Sequence, residues 1–219
     1  MIILKRLFPL IITGVVLLSG CQNKGVEPVE TNQLNKENII IEESSSPITT
    51  ETPIEQRSNA DFRNAKWGEN VETVKEYELD VTLSGDEDQL SGEVNVGGYD
   101  SYVGFFFDNN KLYEGIYAFP LDYSNAGQYI PVYDDLKSML TQKYGEPYED
   151  EIIPLTKQSQ IDYTGPAHAL EYGYVVYRSQ WETGTTNIML GMSAEDYEVK
   201  LLISYTDKNY EPDINDSGL

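Results

Sequence analysis

The amino-acid sequence predicts an α+β domain: an antiparallel sheet of β-meanders with two helices packed on one face, preceded by a disordered tether. Two stretches repeat their apolar residues at helical spacings, and most other apolar stretches alternate in twos between turn residues. Every aromatic residue after the N-terminal apolar run lies at or beyond Phe62. The predicted divisions are a signal peptide (1–20), an acidic tether (21–60), the α+β domain (61–210) and a flexible tail (211–219).

The first twenty residues have the pattern of a secretory targeting segment. Lys5 and Arg6 precede an apolar run at 7–18, and the small residues Ser19 and Gly20 follow it. The run is shorter than the roughly 20 residues that a transmembrane helix needs. An uncleaved signal anchor with an incidental cysteine remains the alternative.

The string Leu18-Ser19-Gly20-Cys21 resembles the lipobox of bacterial lipoprotein signal peptides. The resemblance implies that a diacylglycerol is attached to the sulfur of Cys21 and that the chain is cut just before it. Two or more acyl chains, palmitate among them, hold a protein on a bilayer where one does not. We therefore expect a lipid-anchored protein on the outer, extracytoplasmic face of the cell membrane.

The segment at 22–60 is rich in Glu, Asn, Thr, Ser and Pro and contains no aromatic residue. Such a composition buries too little apolar surface to offset the entropy cost of ordering the chain. We expect a disordered tether with an r.m.s. span of roughly 35 Å.

Two segments of the domain have helical signals. Asn70 is a good N-cap for a short helix whose Val71 and Val74 share one face. Apolar residues at three- and four-residue spacings predict a longer helix from about 129 to 144, with Gly145 and Pro147 as its stop signals.

Strand signals account for most of the remaining domain. Segments 79–84 and 90–96 flank a turn, and segments 101–107 and 111–119 flank Asp108-Asn109-Asn110, a tight hairpin signal. A three-stranded meander is predicted around 174–183, 186–192 and 198–205.

The order of these elements resembles the tandem helix-plus-meander units of β-lactamase-inhibitor-like domains, and more specifically uncharacterised lipoproteins of Gram-positive bacteria. The resemblance implies a fold and no functional site. The residues that carry it are Phe62-x-x-x-Lys66-Trp67-Gly68, Phe107-Asp108-x-x-Lys111-Leu112, Leu140-x-x-Lys143-Tyr144-Gly145-x-Pro147 and Gln180-Trp181-x-Thr183.

Charge and composition exclude several functions. The 219 residues contain 37 acidic and 15 basic side chains, a net charge of −22, which argues against nucleic-acid binding. One cysteine and one histidine exclude a disulfide framework and a site that needs two imidazoles. No nucleotide-binding glycine motif is present, and we expect no cofactor and no bound metal beyond weak calcium binding.

Catalytic signals are weak. His168 lacks a second histidine or a serine elbow, and its Gly-Pro context favours a loop. Adjacent or alternate carboxylates are common in so acidic a chain, and they are typical of solvated surface. The sequence pairs are Asp86 with Asp88, Asp134 with Asp135, and Glu149 with Asp150 and Glu151.

Seventeen tyrosines are the most unusual feature of the composition. A sheet face lined with tyrosine suits contact with a protein, peptide or glycan, although tyrosine is also a favoured strand residue that fills cores. Trp67 and Trp181 favour a core role over a ligand platform. The candidate partner-binding residues are Tyr113, Tyr117, Tyr174 and Tyr177.

The sequence therefore predicts a lipid-anchored binding protein of the cell envelope, with a protein or an envelope component as its partner. The alternative is a small envelope hydrolase that uses two carboxylates facing each other across a cleft.

Overall fold

The computed structural model describes Arg57 and residues 59–212. Cys21, the predicted signal peptide and nearly all of the predicted tether lie outside the described residues. The described chain has helices α1 (Val71–Tyr77), α2 (Tyr129–Tyr144) and α3 (Gln158–Glu171), with a short 3-10 turn at Ala126–Gln128 before α2. Its strands are β1 (Ser84–Gly85), β2 (Gln89–Val96), β3 (Tyr99–Asp108), β4 (Lys111–Phe119), β5 (Glu149–Pro154), β6 (Val175–Glu182), β7 (Thr186–Glu195) and β8 (Glu198–Asp207).

The strands form one antiparallel sheet in the order β1-β2-β3-β4-β8-β7-β6-β5. Each half of the sheet is a meander, and the halves join where β4 pairs with β8 in a register that sets Gly115 opposite Tyr205. The prediction of an α+β fold with an antiparallel sheet of meanders is confirmed.

The principal core lies between the sheet and the helices. Val74 of α1, Leu136 of α2 and Leu170 of α3 belong to the same buried cluster as Phe105 of β3 and Ile203 of β8. Because side chains alternate across a strand, this cluster marks one face of the sheet as the helix-covered face. The other face, called here the open face, carries the alternate residues, such as Phe106, Glu114 and Leu202.

Several local predictions are confirmed. The Asn70 side chain accepts a hydrogen bond from the Thr73 N–H and caps α1. Helix α2 has the predicted bounds and ends at Gly145, whose φ of 87° favours glycine. Asn109 and Asn110 both have positive φ in the two-residue turn between β3 and β4, as a tight hairpin requires.

Three elements differ from the prediction. Strand β1 has only two residues, because residues 79–83 run outside the sheet, with Val81 and Leu83 packed against the core. Strand β5 was missed because its acidic residues resemble solvated loop. Helix α3 was missed because Gly165 and Pro166 interrupt it; buried Ala169 and Leu170 hold its last turns on the core.

Candidate functional site

A cavity in the described part of the chain lies on the helix-covered face, above the junction of the two meanders. Its volume is about 690 Å³, within the range of small-ligand sites. Tyr117 of β4 and Tyr205 of β8 line it from the sheet. This cavity is called here the tyrosine cleft. Its walls are Arg57 with residues 59–64, the residues that end and follow α1, the end of α2 and the β6–β7 turn.

Phe62 fixes the first wall of the tyrosine cleft. Its ring lies 5.2 Å from Phe105, 5.2 Å from Tyr117 and 5.1 Å from Tyr205, measured between ring centroids. The ring fits because Gly115 has no side chain: a Cβ there would lie 2.1 Å from a Phe62 ring carbon. The wall is therefore seated on the central strands of the sheet.

A buried ion pair joins this wall to the end of α1. Arg63 Nε donates to Glu78 Oε2 at 2.7 Å, and the Asn64 N–H donates to Glu78 Oε1 at 2.8 Å. The Glu78 side chain is fully buried, and Arg63 also contacts Asp80 at 2.7 Å. Burial disfavours the charged guanidinium, but the hydrogen bond and charge of Glu78 outweigh it and raise the pKa of Arg63.

Arg57 at the edge of the cleft is also engaged. It forms an ion pair with Glu69 at 2.8 Å, and its guanidinium lies 3.7 Å from the centroid of the Tyr77 ring. This is the geometry of a cation–π contact. Both arginines of the cleft therefore have anionic partners from this protein.

The β6–β7 turn forms the opposite wall. The Thr183 hydroxyl accepts hydrogen bonds from the Thr185 and Thr186 N–H groups at 3.3 and 3.1 Å. The Thr185 hydroxyl donates to Asp61 Oδ1 at 2.5 Å, and the backbone N–H of Trp67 donates to Asp61 Oδ2 at 3.0 Å. Asp61 thus ties this turn to the first wall.

The phenols of Tyr117 and Tyr205 are neutral hydrogen-bonding groups. Burial raises the pKa of Tyr117, with Arg63 opposing the shift, and burial together with Tyr144 raises the pKa of Tyr205 well above its usual value. Lys143 Nζ lies 5.0 Å from the Tyr144 ring centroid. No carboxylate of the described residues lies within ion-pair distance of Lys143.

The four candidate tyrosines do not form one surface. Tyr117 lies in the cleft, whereas Tyr113 stacks on Tyr210 with ring centroids 4.1 Å apart. Tyr174 accepts a hydrogen bond from Gln160 at 2.8 Å. Tyr177 is 8% exposed and packs edge-on against Tyr133, which leaves little of its ring for a partner.

The other cleft tyrosines were not among the sequence candidates. Tyr77 and Tyr144 come from helix ends, and Tyr205 comes from the last strand. They are 67 and 61 residues apart along the chain, and no spacing relates them. Only the pairing of β4 with β8 and the packing of α1 and α2 bring them together.

His168, Trp181 and Trp67 lie outside the cleft and pack or form hydrogen bonds within the fold. His168 lies near the end of α3, with its ring centroid 5.9 Å from that of Tyr172, and not in the expected loop. Trp181 is 1% exposed and donates to the Gly145 carbonyl, and Trp67 donates to Thr186 Oγ1 at 2.9 Å.

The predicted carboxylate groups act locally. Asp86 accepts hydrogen bonds from the Asp88 and Gln89 N–H groups, and Glu149 and Glu151 both contact Arg178. Among the described residues, no group of three or more His, Cys, Asp or Glu side chains is placed to hold a metal ion. No described helix has the length and apolar character needed to cross a membrane.

No family model, curated protein or solved structure matches this chain.

Proposed function

We propose that this protein is a lipid-anchored binding protein on the extracytoplasmic face of the cell membrane, and that its tyrosine cleft holds a component of the cell envelope. The observation that supports binding is the cleft itself: aromatic rings and fixed polar groups converge on one cavity. The lipobox resemblance at Cys21 supports the location.

The arrangement favours noncovalent recognition. The pKa values of Arg63, Tyr117 and Tyr205 in the cleft are raised, and each shift keeps the group in its usual protonation state at neutral pH. These groups orient and contact a ligand without exchanging protons with it. A carboxylate hydrolase needs a carboxyl group with a raised pKa that faces a second carboxyl group across the cleft. Among the described residues, the carboxyl group whose pKa is raised belongs to Glu114, which lies on the open face between Phe106 and Thr206 and not in the cleft.

Site-specific photocrosslinking in whole cells tests both parts of the proposal. A photoreactive residue replaces Lys143, at the edge of the cleft, or Tyr163, which is 91% exposed on α3 and serves as the control position. We expect a discrete adduct from position 143 and none from position 163.

The same cells are extracted by detergent phase separation, with Cys21→Ala as the second variant. We expect the parent chain to enter the detergent phase and the Cys21→Ala variant to stay in the aqueous phase, because the variant cannot accept the lipid. Equal partition of the two chains would contradict the anchor, and equal crosslinking at positions 143 and 163 would contradict binding in the cleft.

A further inference from the structure

We propose that the ligand of the tyrosine cleft is an uncharged saccharide, a short oligosaccharide without carboxylate, phosphate or amino groups. This inference rests on the proposed function, since it names the ligand class for the same cleft. Three observations support it: both arginines of the cleft are already paired with carboxylates, several polar groups can form further hydrogen bonds, and aromatic rings lie beside those groups.

Both arginines of the cleft are paired within the protein, whereas Lys143 at its edge has no carboxylate of the described residues within ion-pair distance. Arg63 is held by Glu78 and Asp80, and Arg57 by Glu69. An anionic ligand would have to compete with these carboxylates for the two arginines, which leaves it only Lys143 at the edge of the cleft, in a chain of net charge −22. A cationic ligand would have to displace arginines, one of which is in a buried pair whose separation is costly.

The polar groups with remaining capacity suit hydroxyl groups. Thr183 accepts two backbone N–H bonds, and its own hydroxyl hydrogen has no acceptor among the described residues. Each oxygen of Asp61 accepts one hydrogen bond and has a further lone pair. The side-chain amides of Asn59 and Asn64 form no hydrogen bond with the described residues.

A sugar hydroxyl both donates and accepts, so neighbouring hydroxyls on a ring match the paired atoms of a carboxylate or an amide. The phenols of Tyr117 and Tyr205, which are neutral, add groups that also both donate and accept. A peptide would instead present backbone groups that sheet-edge pairing satisfies best, and the cleft lies above the middle of the sheet, away from its edges.

The aromatic rings supply the apolar part of such a site. Tyr144 is half-buried, and Tyr77 is 37% exposed, so each is only partly covered by the protein. The C–H faces of a pyranose pack on an aromatic ring while its hydroxyls point to the polar groups around it. The volume of about 690 Å³ accommodates more than one sugar ring.

The test is a binding titration of the full chain in detergent micelles, followed by tryptophan fluorescence and ligand-observed NMR. The probes are neutral and acidic oligosaccharides, among them N,N′-diacetylchitobiose, maltotriose and digalacturonate, and the peptide trialanine. We expect saturable binding of a neutral oligosaccharide, and at least about tenfold weaker binding of digalacturonate and of trialanine.

The variants identify the cleft as the place of binding. Tyr144→Ala is expected to weaken binding of the neutral oligosaccharide about tenfold, the equivalent of one aromatic contact, and Tyr144→Phe by less. Tyr163→Ala is the matched control and is expected to bind as the parent chain does. If Tyr144→Ala does not fold by circular dichroism, Tyr77→Ala takes its place, because Tyr77 is a partly exposed residue at the end of α1.

The outcomes separate this inference from the proposed function. Tighter binding of digalacturonate or trialanine, weakened by Tyr144→Ala, would overturn the saccharide class and retain a ligand-binding cleft. Failure of every neutral oligosaccharide to bind, with a crosslinked adduct still formed at position 143, would do the same. Failure of all probes together with absence of that adduct would overturn both proposals.

Discussion

Glu114 shows how one side chain depends on its place in the sheet. The residue lies on β4 facing the open side, with Phe106 and Thr206 as its cross-strand neighbours. Burial raises the pKa of its carboxyl to about 7. Nothing in the sequence around it, Leu112 to Ile116, distinguishes it from the other acidic residues, because the shift is caused by desolvation in the folded chain.

This shift predicts a pH-dependent contribution to stability. The pKa of Glu114 in the folded chain lies above the ordinary value of 4.5. The stability that the protonated carboxyl contributes to the folded state is therefore fully present below about pH 4.5 and is lost as the pH rises through about 7. The variant Glu114→Gln does not lose this stability, because the glutamine side chain stays uncharged as the pH rises. We expect the free energy of unfolding of the variant to exceed that of the parent chain increasingly between pH 5 and pH 8, by about 3 kcal/mol at most.

Urea unfolding at four pH values across this range measures the effect. Glu93→Gln is the control, because Glu93 lies on the same face but is exposed. A difference between Glu114→Gln and the parent chain that is constant with pH would show that the Glu114 carboxyl does not titrate as described.

Helix α1 shows how a short element positions the cleft. It has seven residues, too few to be stable alone, and its buried residues are Val71 and Val74. The Asn70 cap starts the helix, and the residue after its end is Glu78, the buried partner of Arg63. The start signal is local and was predicted from the sequence, whereas the ion pair at the end depends on a residue 15 positions earlier.

Loss of the cap is therefore expected to loosen one wall of the cleft. Asn70→Ala is expected to lower the free energy of unfolding by about 1 kcal/mol, because the Thr73 N–H loses its acceptor. Asn70→Ser retains an acceptor and is expected to stay close to the parent chain. Denaturant unfolding of the three chains checks this, and equal losses for both variants would refute the capping explanation.

At the scale of the whole molecule, the junction of β4 and β8 unites two meanders and supports the cleft. Gly115 lies in this junction opposite Tyr205, and the Phe62 ring occupies the space beside it. The contact of Phe62 with Gly115 therefore belongs to the first wall of the cleft, to the core and to the floor of the cleft at once. A change at Gly115 acts on all three together.

Gly115→Ala is expected to displace the Phe62 ring and destabilise the fold by about 2 kcal/mol, which lowers Tm by about 5 °C. Gly184→Ala is the matched control, since a Cβ at Gly184 would meet no atom within 4 Å. Thermal unfolding followed by circular dichroism compares the two. A Tm for Gly115→Ala equal to that of Gly184→Ala would show that the Phe62 ring can move aside without lowering the stability of the fold.

The sequence by itself determined the α+β class, the antiparallel meanders, helix α2, the Asn70 cap and the Asn109-Asn110 turn. These features depend on periodicity, caps and turn residues, which are local interactions written in neighbouring residues. It also carries the lipobox resemblance at Cys21, which leads to the proposed location.

Only the tertiary structure decided which tyrosines meet, which carboxyl groups are buried, and that the broken segment at 158–171 is a helix. Tyr117 and Tyr205 become neighbours because β4 pairs with β8, and Tyr77 and Tyr144 join them because α1 and α2 pack on the same face. These contacts join residues far apart in the chain, and burial and desolvation exist only once the chain has folded around them.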